Sequence, residues 1–351
     1  MLKKASILFF TLISLASNPG FAQKSNTYYL KNNGQEIKVK DSADYIRIIQ
    51  EPDSANAYFR VLEFYPDNSR KFVGQVSAFE PKLVYEGATM LYNKNGKKSA
   101  QISYIKGIPF GTAYFFHANG RVEKVLDYNS EGTIKISKTD QLENFKVLSY
   151  FDSTGNEQVK DGSGHVIIPA DDGMSREEGR FSQGLKDSTW KGTLPGNTGS
   201  YQEEYKNGEL ISGVQTTADG KQYSYTNLRE DPEYLNGGNI AFYGFFQKTF
   251  RYPREALERG ITGSLLINFI INEDGSISDI KSYPTLHYSI NKEINRVLMT
   301  SGKWKPAKSR GVPLKEPYQL PLSLHLNGSP SVRPQTGITI EVRSVTRTRI
   351  N

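Results

Sequence analysis

Gly263-Ser264-Leu265-Leu266-Ile267-Asn268-Phe269-Ile270-Ile271 is the stretch that sets the C-terminal fold. Leu265, Ile267, Phe269 and Ile271 recur at every second residue while Ser264 and Asn268 hold the opposite parity, the pattern of a strand with one face on a core. Asp274-Gly275 follows as a hairpin turn, and residues 276–282 as the return strand. Upstream, Tyr252-Pro253 opens a short helix whose first turn tolerates a missing N–H. Ala256 and Leu257 supply its apolar contacts and Gly260 its stop. Downstream, Ser289 reads as the cap of a second helix, and Ile290, Ile294, Val297 and Leu298 form one apolar stripe. That stripe needs a sheet, which the hairpin's apolar face provides. Trp304, Pro306, Gly311 and Pro313 read as an irregular connector, with Trp304 as packing. Tyr318, Leu320, Leu322, Leu324 and Leu326 then alternate with Gln319, Pro321, Ser323 and His325 as a third strand.

Pro321 has no N–H, which places its strand at an edge or leaves it incompletely paired. An edge offers backbone groups that a second chain completes by adding a strand. Tyr318, Gln319, Leu320, Pro321, Leu322 and Ser323 would line that receiving edge. Backbone pairing would supply most of the attachment, and side chains would set the register. The alternative is an edge that the proline and a basic tail simply protect.

The middle of the chain carries a 24-residue periodicity: Asn95-Gly96 recurs as Asn119-Gly120, Gly87 as Gly111, and Tyr104 as Tyr128. Asn-Gly between short aromatic-containing runs signals a tight hairpin turn in which both residues tolerate positive φ. Weaker copies occur at Asp67-Asn68, Gly155, Asn207-Gly208 and Asp219-Gly220. The reading is a row of β-hairpins, each covering the next one's apolar face. Its tyrosines either pack between hairpins or form an aromatic row for a glycan or peptide. The region, roughly 60–226, resembles the MORN-like repeats of the antitoxin-type YwqK family, through Tyr92, Asn95, Gly96, Gly107 and Gly111, and through Phe116, Asn119, Gly120, Tyr128 and Gly132. Gly179 to Gly184, with Trp190 and Gly192, is similar to that family's glycine-and-tryptophan unit. Asp171-Asp172-Gly173 with Glu177-Glu178 does not meet the spacing of a calcium loop and reads as a solvated acidic loop.

Within 240–326, Tyr252-Pro253, Ala256, Gly260, Gly263, Phe269, Asp274-Gly275, Trp304-Lys305-Pro306-Ala307, Gly311-Val312-Pro313 and Pro321-Leu322 together resemble the C-terminal domain of TonB energy transducers. The resemblance implies helices on one side of a three-stranded antiparallel sheet. It also implies contact with the periplasmic plug and TonB box of outer-membrane receptors beside the final strand, here 318–326, during import driven by proton-motive force. Two departures stand out: the N-terminus looks cleavable, and hairpin repeats replace a proline-rich spacer. The chain is thus more similar to composite repeat-plus-TonB-domain proteins than to a transducer itself.

The expected architecture is therefore a mainly β repeat region of stacked hairpins at 60–232, after lead-in strands at 23–59. A small α+β TonB-like module follows at 240–326, with two helices on one face of a three-stranded antiparallel sheet. The basic extension 327–351 closes the chain, and residues 338–345 alternate enough for one more strand. Residues 1–22 read as a signal peptide: Lys3 and Lys4, an apolar run at 5–16, then small residues at Gly20 and Ala22 before Gln23. Cleavage places the protein in the periplasm. A retained segment would anchor it at the inner membrane, although the run is shorter than the roughly 20 residues of a membrane span.

The absence of cysteine excludes thiol catalysis, disulfides and thiolate metal sites. The formal charge of +7 concentrates in the C-terminal third. Outside the cytoplasm such a surface points to weak contact with anionic envelope polymers, not to nucleic acid. Four scattered histidines form no ligand pair, and no nucleophile or phosphate-binding motif occurs. A secreted hydrolase is the residual enzymatic alternative. The expected role is non-enzymatic protein binding without cofactor or metal, and its rival is an envelope scaffold without energy transduction.

Overall fold

The computed structural model describes residues 24–53, 56–128, 145–170, 175–326 and 338–342. The expected signal peptide, Gly132, residues 171–173 and most of the basic tail lie outside them. The chain divides into two compact units, one holding 24–128 and 145–157, the other 158–326 and 338–342.

The first unit is an antiparallel meander of β1 (Ser25–Leu30), β2 (Tyr45–Gln50), β3 (Phe59–Phe64), β4 (Arg70–Ala78), β5 (Val84–Tyr92), β6 (Lys98–Ile105), β7 (Ile108–Phe116), β8 (Val122–Tyr128) and β9 (Phe145–Phe151). Each strand pairs with the next one in sequence. Ile49, Val61, Phe72 and Val76 form a buried cluster under this sheet. Glu63 is buried beside it and takes Arg47 and Lys71 as ion-pair partners, each at 2.6 Å.

The second unit continues with β10 (Glu157–Lys160), β11 (Ser163–Pro169), β12 (Arg176–Ser182), β13 (Leu185–Thr193), β14 (Gly199–Lys206), β15 (Glu209–Thr217) and β16 (Gln222–Tyr225). These again pair in sequence order.

The hairpins use two turn chemistries, where the Asn-Gly pattern alone suggests one. At 93–97, Asn93 N donates to Lys97 O and Gly96 N to Asn93 O, while Asn95 Oδ1 accepts from Lys97 N at 3.0 Å. Only Gly96, at φ 77°, is left-handed, so Asn95 serves through its side chain and not through positive φ. This is a three-residue loop with a glycine bulge. It recurs at 117–121 and 217–221, and at 65–69 with Asn68 in the glycine position. At the other end of the strands within each unit, Lys106-Gly107 in the first and Asp161-Gly162, Gln183-Gly184 and Asn207-Gly208 in the second place both residues at positive φ, as two-residue turns require. Neighbouring turns are stitched together: Asn95 Nδ2 donates to Ala118 O, and Asn119 Nδ2 to Ser153 O, both at 2.8 Å.

The aromatic residues of the second meander pack. Tyr201, Tyr205, Tyr225 and Trp190 are buried. Gly192 lies directly opposite Tyr201, and Gly213 opposite Tyr225. A Cβ on either glycine would stand 2.3 Å from the facing ring, so the missing side chain is what seats the aromatic. Glu203 shares this inner face and is fully buried. It accepts hydrogen bonds from the Tyr205 and Tyr225 hydroxyls at 3.0 and 2.7 Å. Burial first, and Glu203 second, push both hydroxyls well above the ordinary tyrosine value.

The same unit ends in the C-terminal module. It contains α1 (Gly238–Thr249), α2 (Arg254–Glu258), β17 (Gly263–Ile271), β18 (Ile277–Tyr283), α3 (Tyr288–Thr300), β19 (Glu316–Leu326) and β20 (Ile338–Val342). Strand order is β18-β17-β19-β20. Leu265, Ile267, Phe269 and Ile271 face the core together with the α3 stripe Ile290, Ile294, Val297 and Leu298. The sheet thus has four strands where three were expected, and three helices where two were.

The third helix is α1, which brings Phe242 and Phe246 into the core. The N-cap of α3 is His287, whose Nδ1 accepts from Ser289 N at 3.3 Å; Ser289, expected to cap, is already helical. Gly275 permits a close approach, because Trp304 N donates to Gly275 O at 2.8 Å and a Cβ would stand 2.0 Å from Trp304 O. Trp304 is core, ringed by Tyr234, Phe242, Phe269 and Tyr318.

The expected irregular connector is instead a hairpin, Ala307–Ser309 against Val312–Leu314, turning at Arg310-Gly311 with φ 47° and 78°. Its tip reaches the second meander. Arg310 N donates to Leu228 O, and Arg310 Nε donates to Glu203 Oε1 at 2.7 Å.

Candidate functional site

β19 is the strand along which the sequence suggests a receiving edge, and the chain's own backbone occupies half of that edge. Along one side β19 pairs antiparallel with β17, from Gly263↔Leu324 to Ile271↔Glu316. Along the other, β20 runs parallel to it, from Leu322↔Ile338 to Leu326↔Val342. An open margin over 322–326 is therefore ruled out by the chain's own backbone. Leu322 and Ser323 already have partners on both sides, and β19 is an edge strand only over its first half. Pro321 stands immediately before the first β20 pair, so the residue without an N–H marks where the double pairing begins.

Over 316–321 no described strand pairs on the side away from β17. Tyr318, Gln319, Leu320 and Pro321 belong to this stretch. Gln319 is exposed, whereas Leu320 and Leu322 are fully buried in the module core. Register cannot be read by those two leucines on the surface. Ser323 is buried and shares a hydrogen bond with Ser264 at 2.9 Å.

Tyr318 is the most constrained of the six. Its ring lies between Phe269 and Trp304, with centroids 5.1 and 5.2 Å away. Its hydroxyl donates to Asn239 Oδ1 at 2.9 Å, tying β19 to the start of α1. Burial pushes that hydroxyl up to about 12, with the nearby Tyr243 hydroxyl adding to it.

The segment holding the occupied half was legible only as an alternating pattern in the tail. Ile338 is fully buried and Ile340 nearly so, both in the module's main core cluster. Gln247 Nε2 of α1 donates to Thr339 O at 3.1 Å. The far edge of the sheet, β18, carries a register shift and a left-handed Asp279 at φ 51°. Such irregularities blunt an edge against strand addition.

Away from the module, a groove of about 640 Å³ opens on the polar face of β12–β16, among Arg176, Glu178, Lys191, Gln202, Glu204 and Thr216. Glu177, considered for calcium, instead accepts from Lys186 at 3.0 Å and from the Tyr201 hydroxyl at 2.9 Å. No described helix is long and apolar enough to cross a membrane.

No curated protein is significantly similar to the chain. Residues 248–326, from the end of α1 to the end of β19, match the family described as Gram-negative bacterial TonB protein C-terminal, a non-enzymatic, protein-contacting domain of envelope proteins.

Proposed function

We propose that the chain is a periplasmic protein whose C-terminal module grips an extended segment of a TonB-dependent outer-membrane receptor by strand addition and so takes part in energy-coupled import. The observation that carries this reading is the side of residues 316–321 that has no strand partner among the described residues, inside a segment that matches the TonB C-terminal family. A visiting backbone would extend the sheet there through main-chain hydrogen bonds. Pro317 and Gln319 are the exposed residues along that stretch. An interface this small gives weak, transient binding.

A photoreactive residue at position 319 of the full chain in cells tests the reading. The expected adduct contains an outer-membrane receptor, and the same probe at Gln202 in the hairpin sheet gives none. Adducts at 319 that contain no receptor overturn it.

The occupation of 322–326 by β20 favours a second reading, an envelope scaffold that keeps the fold and has lost the coupling role. The polar groove on β12–β16 would then be its binding surface.

A further inference from the structure

We infer that β20 is a built-in competitor, a strand of the chain itself that fills the acceptor groove of β19 and must leave before a guest strand can use the whole edge. The inference rests on the docking reading above for the identity of the guest, and on β20 alone for its chemistry.

β20 holds its place with few contacts. It pairs with five residues of β19, in the parallel sense that is slightly weaker per residue than antiparallel pairing. Among the described side chains, Ile338 and Ile340 anchor it, both in the cluster that contains Phe242, Phe246, Leu322 and Leu324. Residue 339 between them offers its carbonyl to Gln247. The connection to β19, residues 327–337, reads Asn-Gly-Ser-Pro-Ser-Val-Arg-Pro-Gln-Thr-Gly, rich in the residues of linkers and turns.

The seat also specifies what can replace its occupant. A guest must run parallel to β19, be extended over about five residues, and carry two aliphatic side chains two positions apart to refill the places of Ile338 and Ile340. β-Branched residues suit both the extended backbone and the buried positions. A charge at either anchor would be excluded, because it would be buried without a partner. A tethered strand faces its seat at an effective concentration on the order of millimolar. A guest therefore meets an edge that is closed until its own concentration or avidity outcompetes the tether.

The test uses a fluorescent peptide of the chain's own sequence 336–345, Thr-Gly-Ile-Thr-Ile-Glu-Val-Arg-Ser-Val, as the probe. Binding is followed by anisotropy with the full chain, with the full chain carrying Ile338→Asp and Ile340→Asp, and with a chain ending at Leu326. Circular dichroism and the fluorescence of Trp304, read in a Trp190→Phe background, establish that each is folded. At least tenfold tighter binding to the two unseated variants than to the full chain is expected. Hydrogen exchange at 322–326 should be faster in both variants and slow again when the peptide is added. Equal binding to all three proteins, or no binding to a folded variant, overturns the inference. Where the truncated chain does not fold, the double aspartate variant decides alone, and loss of its fold as well would show β20 to be an integral strand, which also overturns it. Cross-linking from position 319 in the same variants separates the two claims. Peptide exchange without receptor adducts leaves the competitor standing and removes the receptor.

Discussion

Arg310 Nε lies 2.7 Å from Glu203 Oε1, so the C-terminal module supplies the cation for a carboxylate buried in the hairpin sheet. The guanidinium also stacks over the Tyr201 ring, 4.1 Å from its centroid. In the first unit the equivalent need is met locally, since Glu63 takes Arg47 and Lys71 from adjacent strands. Among the described residues, the cation paired with Glu203 is Arg310, which reaches it when the Arg310-Gly311 turn is in place.

Removing one member of such a pair leaves a charge without compensation in the interior. Arg310→Ala is expected to cost about 3 kcal/mol in urea unfolding of the full chain. Arg310→Lys should recover only part of this, because the planar stacking on Tyr201 is lost. Adding Glu203→Gln to Arg310→Ala should recover some stability, and a purely additive result would show that the pair is not coupled.

Gly192 faces the Tyr201 ring at a distance no Cβ can share. Gly192→Ala should destabilise the second unit by about 1–3 kcal/mol through overpacking. Combining it with Tyr201→Ala should cost less than the sum of the two single changes, which a double-mutant cycle in denaturant measures.

Tyr318 makes alkaline stability a property of the module. Its folded pKa is raised, to about 12, mainly by burial. Its contribution is therefore complete below the unfolded value near 10 and is lost as pH rises from there through about 12. The urea midpoint should fall across that window, and less steeply in Tyr318→Phe.

Asp274 acts at the other end of the scale. Its carboxylate accepts from Ser276 Oγ and N at 2.6 and 3.0 Å and pairs with Lys303, which hold it down at about 2. A depressed folded pKa gives a contribution that is present above the unfolded value near 4 and lost as pH falls through about 2. The thermal midpoint should fall over that range, and Asp274→Asn should flatten this part of the profile.

Much of this was legible where a residue's role is local. The alternation from Leu265 to Ile271 and the stripe from Ile290 to Leu298 face the core as their periods require. The Asn-Gly pairs mark hairpins, although the sequence did not show that Asn95 works through its side chain and Asn207 through its backbone. What escaped depends on partners distant in sequence. α1 has no side-chain cap, starts beside two glycines and holds Gly244 in its middle, which hid the spacing of Phe242, Phe246 and Phe250. An arginine in a turn reads as solvated, so Arg310 gave no sign of its partner. Glu203 did leave a trace, since its parity between Tyr201 and Tyr205 puts it on the aromatic face. The alternation of Ile338 and Ile340 announced a strand but not its partner, and the partner decides how much of β19 is free.

The two turn chemistries at opposite ends of each meander set the increments by which such a protein can change size. Gain or loss of a whole hairpin returns the next strand to the end where its turn belongs, and alters the sheet's width by about 9–10 Å. A single added strand would move each later Asx-Gly loop to the end that holds the left-handed pairs. Length change by whole hairpins thus keeps every turn at its own end, as a ruler with fixed graduations.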